Sequence, residues 1–116
     1  MIPSQISGLL DLRPLPAEGG FYSETYRSGI VLGVGGKSCG TCIYYFLQGN
    51  DRSAWHRLKS DEIWFYHAGS AAIQLLLFPD GRFEERHIGV NFECKERPQG
   101  IIPAGTWQTT FLKGGY

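Results

Sequence analysis

The residues most able to do chemistry are concentrated in SAWHRLKSDEIWFYHAG, residues 53–69. His56 and Glu62 stand there among Trp55, Trp64, Phe65 and Tyr66. The stretch has the hydrophobicity of buried strand, yet an imidazole and a carboxylate cost free energy to desolvate and must find partners once buried. The pair is therefore expected to face a cavity rather than a packed core. In a shared interior the carboxylate raises the proton affinity of the imidazole, and the imidazolium stabilises the carboxylate. That is the equipment of general acid–base chemistry. Gln108, in IIPAGTWQTT just past the Pro103–Gly105 turn, is a third polar candidate.

Strands have to carry these groups. Side chains alternate along a strand, which puts Glu62, Trp64 and Tyr66 on one face and Ile63, Phe65 and His67 on the other. Both faces are apolar or aromatic, so the second is expected to lie under another sheet or subunit. The short KSD loop suggests that the strands carrying His56 and Glu62 pair as neighbours. Dense Gly and Pro punctuation (16 and 6 residues) separates further short segments rich in aromatic and β-branched residues. These are FYSETYRS, TCIYYFLQ, SAWHRL, EIWFYHA, AAIQLLLF, RFEERHI, GIIPA and TWQTTFL. FPDGRF is a tight-turn signal. SQISGLLDL is the one helix candidate, capped by Ser4 with Ile6, Leu9 and Leu10 at helical spacing. The pattern is that of a single all-β domain, residues 1–116, built as a double sheet or barrel with a short N-terminal helix.

The composition excludes several roles. Lys plus Arg and Asp plus Glu are 11 each, for a formal net charge of zero. No basic excess exists to hold nucleic acid or an anionic membrane. The apolar run AAIQLLLF is far short of the ~20 residues of a membrane span. MIPSQISGLLDLRP lacks the parts of a signal peptide, which makes the cytoplasm the expected location. Cys39, Cys42 and Cys94 are too few and too odd in number for a disulfide framework, and CGTC runs straight into a strand, so the cysteines read as small buried residues. VLGVGGKS lacks the spacing of a phosphate loop and reads as a hairpin loop.

HRLKSDEIWFYHAG resembles the first cupin motif, with Glu62 seven positions before Gly69, and PAGTWQ resembles the core of the second. LPAEGGFYSETYRS and YYFLQGNDRSAWHRLKSDEIW narrow the resemblance to the Cupin_5 (DUF985) group of RmlC-like cupins, from about residue 8 to residue 116. The resemblance implies a cupin-type jelly roll, a double-stranded β-helix barrel, dimeric, with its site inside. Relatives continue past the position of Tyr116 with further strand, so the barrel is expected to be incomplete at the C-terminal end, with a partner subunit able to cover the gap. Carried over by position, the cupin metal ligands fall at His56, Leu58, Glu62 and Gln108. Leu58 has no donor atom and Gln108 only an amide oxygen. A divalent metal ion is thus a candidate cofactor with His56, Glu62 and Gln108 as ligands, short of the three strong donors usual in catalytic sites.

Three functions stay open on these residues. One is an enzyme with epimerase- or isomerase-like chemistry, His56 moving the proton and Glu62 tuning it, with a sugar or nucleotide-like ligand held on Trp64 and Tyr66. Another is a metal-dependent dioxygenase or isomerase. The third is a homodimeric module that binds a small molecule without catalysis. Glu18, Glu24 and Arg27 are expected either at the cavity mouth, orienting the ligand, or on an exposed edge with Glu24 and Arg27 paired. Trp107 is read as pocket wall or core, His67 as facing away from Glu62, and His87 as lying on a solvated face.

Overall fold

A computed structural model describes residues 1–116. One helix, α1 (Pro3–Leu10), precedes nine strands. In chain order these are β1 (Arg13–Pro14), β2 (Phe21–Arg27), β3 (Thr41–Phe46), β4 (Arg52–His56), β5 (Glu62–Phe65), β6 (Ala72–Leu77), β7 (Phe83–Ile88), β8 (Gln99–Ile102) and β9 (Trp107–Leu112). All eight strand segments expected from the sequence are present. The two-residue β1 was hidden in the RPLP loop, where no alternation can signal it.

The helix begins one residue before the expected Ser4 cap. Pro3 takes the first helical position, where its missing N–H costs nothing, and the Gln5 side chain accepts from the Ile2 N–H at 3.0 Å. Its apolar stripe is thinner than expected, because Leu9 points to solvent. VLGVGGKS closes a hairpin as expected, with Val31 bridged to Ser38 and the Leu32 N–H bonded to the Lys37 carbonyl.

The strands form three antiparallel sheets, in the orders β1-β2-β3, β4-β9-β6-β7 and β5-β8. They do not close into a barrel. Two seams lack strand pairing, between β3 and β5 and between β7 and β8, the second bridged only at its Ile88–Arg97 end. An open hollow of about 790 Å³ lies along the second, lined by residues such as His87, Arg97 and Gly100. There the Arg86 guanidinium reaches across to the Ile101 carbonyl at 2.6 Å. β4 and β5 are not paired neighbours as the short loop suggested: β4 pairs with β9 and β5 with β8. The chain crosses between sheets from Arg57 to Asp61, and Asp61 fixes the crossing by accepting the Ala104 N–H at 2.8 Å.

Cross-strand partners share a face, so the register defines the interior. His56, Gln108 and Leu76 lie level across β4, β9 and β6, with Ser53, Thr110 and Gln74 level beyond them. Opposite, Glu62 and Trp64 on β5 lie level with Ile102 and Gly100 on β8. Leu76, Phe78 and Ile102 form the apolar core, against which Trp64 packs. The rest of the buried set is largely polar: Ser53, Gln74, Thr106, Gln108, Thr109 and Thr110. The expected alternation on β5 holds, but its outer face is uncovered, with Ile63 and Phe65 about half exposed. Cys39, Cys42 and Cys94 are exposed too, because the surfaces that carry them have nothing packed on top.

One ionic clamp ties the C-terminal strand to the β7–β8 connection. Glu96 takes the Lys113 ammonium at 3.0 Å and the Asn91 N–H at 3.1 Å, and any side chain at Gly89 would collide with its carboxylate. The Lys113 hydrogen bond, then that of Asn91, holds the Glu96 carboxyl below its ordinary value. Its contribution to stability is therefore complete above the ordinary glutamate range and is lost as pH falls through the lowered folded value. Glu96→Gln is expected to lower the urea midpoint at neutral pH, with the difference from wild type shrinking on acidification. Urea unfolding at a series of pH values measures this.

Candidate functional site

His56 ends β4, facing inward, with about one-sixth of its side chain exposed. Its Nδ1 lies 2.6 Å from the Ala54 carbonyl oxygen. A carbonyl only accepts, so the hydrogen sits on Nδ1 and the neutral ring presents a bare Nε2. That lone pair looks toward the Glu18 carboxylate, 3.8 Å away and about one-third exposed. The carboxylate nearest His56 is thus Glu18, not Glu62.

Glu18 is brought there by LPAEGG. Gly19 and Gly20 both have positive φ (92° and 76°). A side chain at Gly19 would run into the Arg52 carbonyl, and a Cβ at Gly20 would lie 2.6 Å from the Tyr45 hydroxyl oxygen. Only glycine allows the loop to press this closely on β3 and β4. The Ala54 N–H donates to the Glu18 carbonyl at 2.6 Å, and the Tyr45 hydroxyl donates to the Gly19 carbonyl at 2.5 Å. Ala54 therefore anchors both members of the pair, Glu18 through its N–H and His56 through its carbonyl.

Glu62 accepts the Trp64 indole N–H at 2.7 Å. Trp64 in turn meets Tyr45 edge to face, with centroids 5.5 Å apart and rings at 86°. Burial, and then the charges of Glu18, Asp51 and Glu62, push the Tyr45 phenol up to about 12 against an opposing hydrogen bond from Ser53. Tyr45 thus senses both glutamates. The sequence reading missed Tyr45, although TCIYYFLQ in alternation with the double glycine of LPAEGG was the signal available.

The remaining candidates scatter. Gln108 is the cross-strand partner of His56, almost fully buried, with no partner for its side-chain oxygen. Gln74 Oε1 and Thr106 Oγ1 are likewise unpartnered. Tyr66 is half-buried and donates its hydroxyl to the Gly69 carbonyl. Glu24 and Arg27 bind each other at 2.6 Å on an exposed stretch of β2. Trp107 lies on the outer side under the Arg57 guanidinium. His67 meets only the edge of Tyr44 outside, and His87 pairs with Glu85.

No group of three His, Cys, Asp or Glu side chains converges to hold a metal. His56, Glu62 and Gln108 supply one imidazole, one carboxylate already accepting an indole hydrogen, and one amide. That donor set does not fit a tightly held divalent ion.

The sequence profile described as Cupin superfamily (DUF985) matches residues 4–116. The chain belongs to the Cupin_5 family. Among solved structures, this Cupin_5 chain is similar to protein SO0799 from Shewanella oneidensis, at 28% identity and a TM-score of 0.92, over 99% of this chain and 72% of that one. It is also similar to a hypothetical protein from Leishmania major, at 28% identity and a TM-score of 0.86, over 95% of this chain and 69% of that one. No curated protein matches it. The expected family is thus shown, and the LPAEGG loop of the resemblance is the segment that brings Glu18 to His56.

Tyr45 gives a direct check on this geometry. Ultraviolet titration is expected to show one of the six tyrosines ionising near 12, and Tyr45→Phe to remove it. Because the folded value lies above the unfolded one near 10, Tyr45 costs stability as pH rises from about 10 to about 12. Tyr45→Phe is expected to cost about 1 kcal/mol at neutral pH, through the lost bond to Gly19.

Proposed function

We propose that this Cupin_5 protein binds a small polar molecule beside His56, which transfers a proton to or from it. The observation that carries this reading is the fixed imidazole: Ala54 takes the Nδ1 hydrogen, leaving Nε2 as a bare, partly accessible base facing Glu18. A proton taken by Nε2 creates a cation that the Glu18 carboxylate stabilises, and the same ring can return it. Glu62 acts one step away, holding Trp64 in place so that its ring forms a wall for the ligand. Tyr66, on the same side of the sheet, extends that wall. Glu24 and Arg27, paired with each other, take no part.

Two features support the wider setting. The uncovered apolar side chains Ile63, Phe65 and Ile101 suit a homodimer, and three exposed free thiols suit the reducing cytoplasm.

The test begins with native mass spectrometry of gently purified protein, to identify whatever copurifies. With that molecule as substrate, His56→Ala is expected to retain the fold and lose about 10²–10⁴-fold in turnover. Full activity of a folded His56→Ala protein eliminates the catalytic assignment. Binding without any product, in wild type and variant alike, leaves a binding module.

A further inference from the structure

We infer that the site selects a small organic cation carrying hydroxyl groups, an amine-bearing polyol, over phosphorylated or other anionic ligands. This deepens the reading above and rests on it. Hydrogens and charges both point to it. Each strong donor of the cluster is already engaged inside the protein: His56 Nδ1–H on Ala54, the Trp64 indole on Glu62 and the Tyr45 hydroxyl on Gly19. What remains on offer is nearly all acceptor. Glu18 and Glu62 have free carboxylate lone pairs, His56 has its bare Nε2, and Gln108 Oε1 is buried beside His56 with no partner. The donors that remain are neutral, the Gln108 amide nitrogen and the Thr106 and Thr110 hydroxyls among them. A phosphate needs donors, and a buried acceptor without a donor costs about 1–3 kcal/mol. The ligand must bring the hydrogens.

The charges agree. No lysine or arginine pairs with Glu18, Asp51 or Glu62. The arginines near these strands are committed elsewhere: Arg52 over Phe111, Arg57 over Trp107, and Arg86 to Glu84 and Ile101. Burial chiefly, and then the charges of these three carboxylates, oppose ionisation of Tyr45. The Trp64 and Tyr45 rings add the π surface on which an ammonium group rests favourably.

Three sugars of one ring size and different charge test this: glucosamine, glucose and glucose 6-phosphate. Each is titrated into isotope-labelled protein, following the Trp64 indole and His56 ring signals by nuclear magnetic resonance. Glucosamine is expected to bind about tenfold or more tighter than glucose, a charge contribution of order 1.4 kcal/mol. Glucose 6-phosphate is expected to bind weakest. Added salt and Glu18→Gln should each narrow the gap between glucosamine and glucose. Tightest binding by glucose 6-phosphate overturns the charge inference and leaves the ligand site standing. Micromolar Mn²⁺ that broadens these signals and displaces glucosamine overturns it in favour of a metal. No response to any of the three sugars overturns the inference, while the ligand reading itself stands or falls on the molecule that copurifies.

Discussion

The site depends on the close approach of Gly19 to the Arg52 carbonyl. Only a residue without Cβ at positive φ permits it, and it brings a loop between β1 and β2 onto the start of β4. From that contact follow the bond of Ala54 N–H to Glu18, the placement of the Glu18 carboxylate 3.8 Å from His56, and the Tyr45 hydroxyl bond to Gly19. A side chain at Gly19 would lift the loop, and the glutamate would leave with it. The rest of the fold supplies rigidity: β9 sits between β4 and β6, so the inward faces of three strands are held level.

The interior is more polar than packing alone requires. A chain of this size folds on the apolar surface it buries, yet its apolar cluster is small, with Leu76, Phe78 and Ile102 at its centre. Gln74, Gln108 and three threonines occupy positions that a core would give to aliphatic residues. Some of these polar groups satisfy one another, as Gln74 does with Thr110 and Thr109 with the Ser53 carbonyl. Others keep an unpartnered oxygen. Buried polar groups without partners depart from the pattern of a packed core. The unpaired seams between β3 and β5 and between β7 and β8 fit the same picture of a fold that is not closed on itself.

Much of this was legible in the sequence, and the failures have physical causes. The strands were legible because alternation is local: Glu62, Trp64 and Tyr66 share a face wherever the strand goes. The pairing of strands was not, because the length of KSD does not say whether the chain turns back or crosses to another sheet. For the same reason Glu62 was taken as the partner of His56. The true neighbour, Glu18, is distant in sequence and arrives through backbone contacts at Gly19 and Ala54 that residue types do not announce. The family resemblance pointed to LPAEGG without saying what it does. The cysteines and the outer face of β5 were read as covered because hydrophobic residues usually are, and here nothing in one chain covers them.

The most direct test of the account is the protonation pattern of the His56 ring, read from nitrogen chemical shifts of labelled protein. In the neutral ring the hydrogen is expected on Nδ1, held by the Ala54 carbonyl, with Nε2 bare and sensitive to Glu18→Gln. A neutral ring carrying its hydrogen on Nε2, unaffected by that substitution, would mean that Ala54 and Glu18 do not orient the imidazole and that the proposed base does not exist.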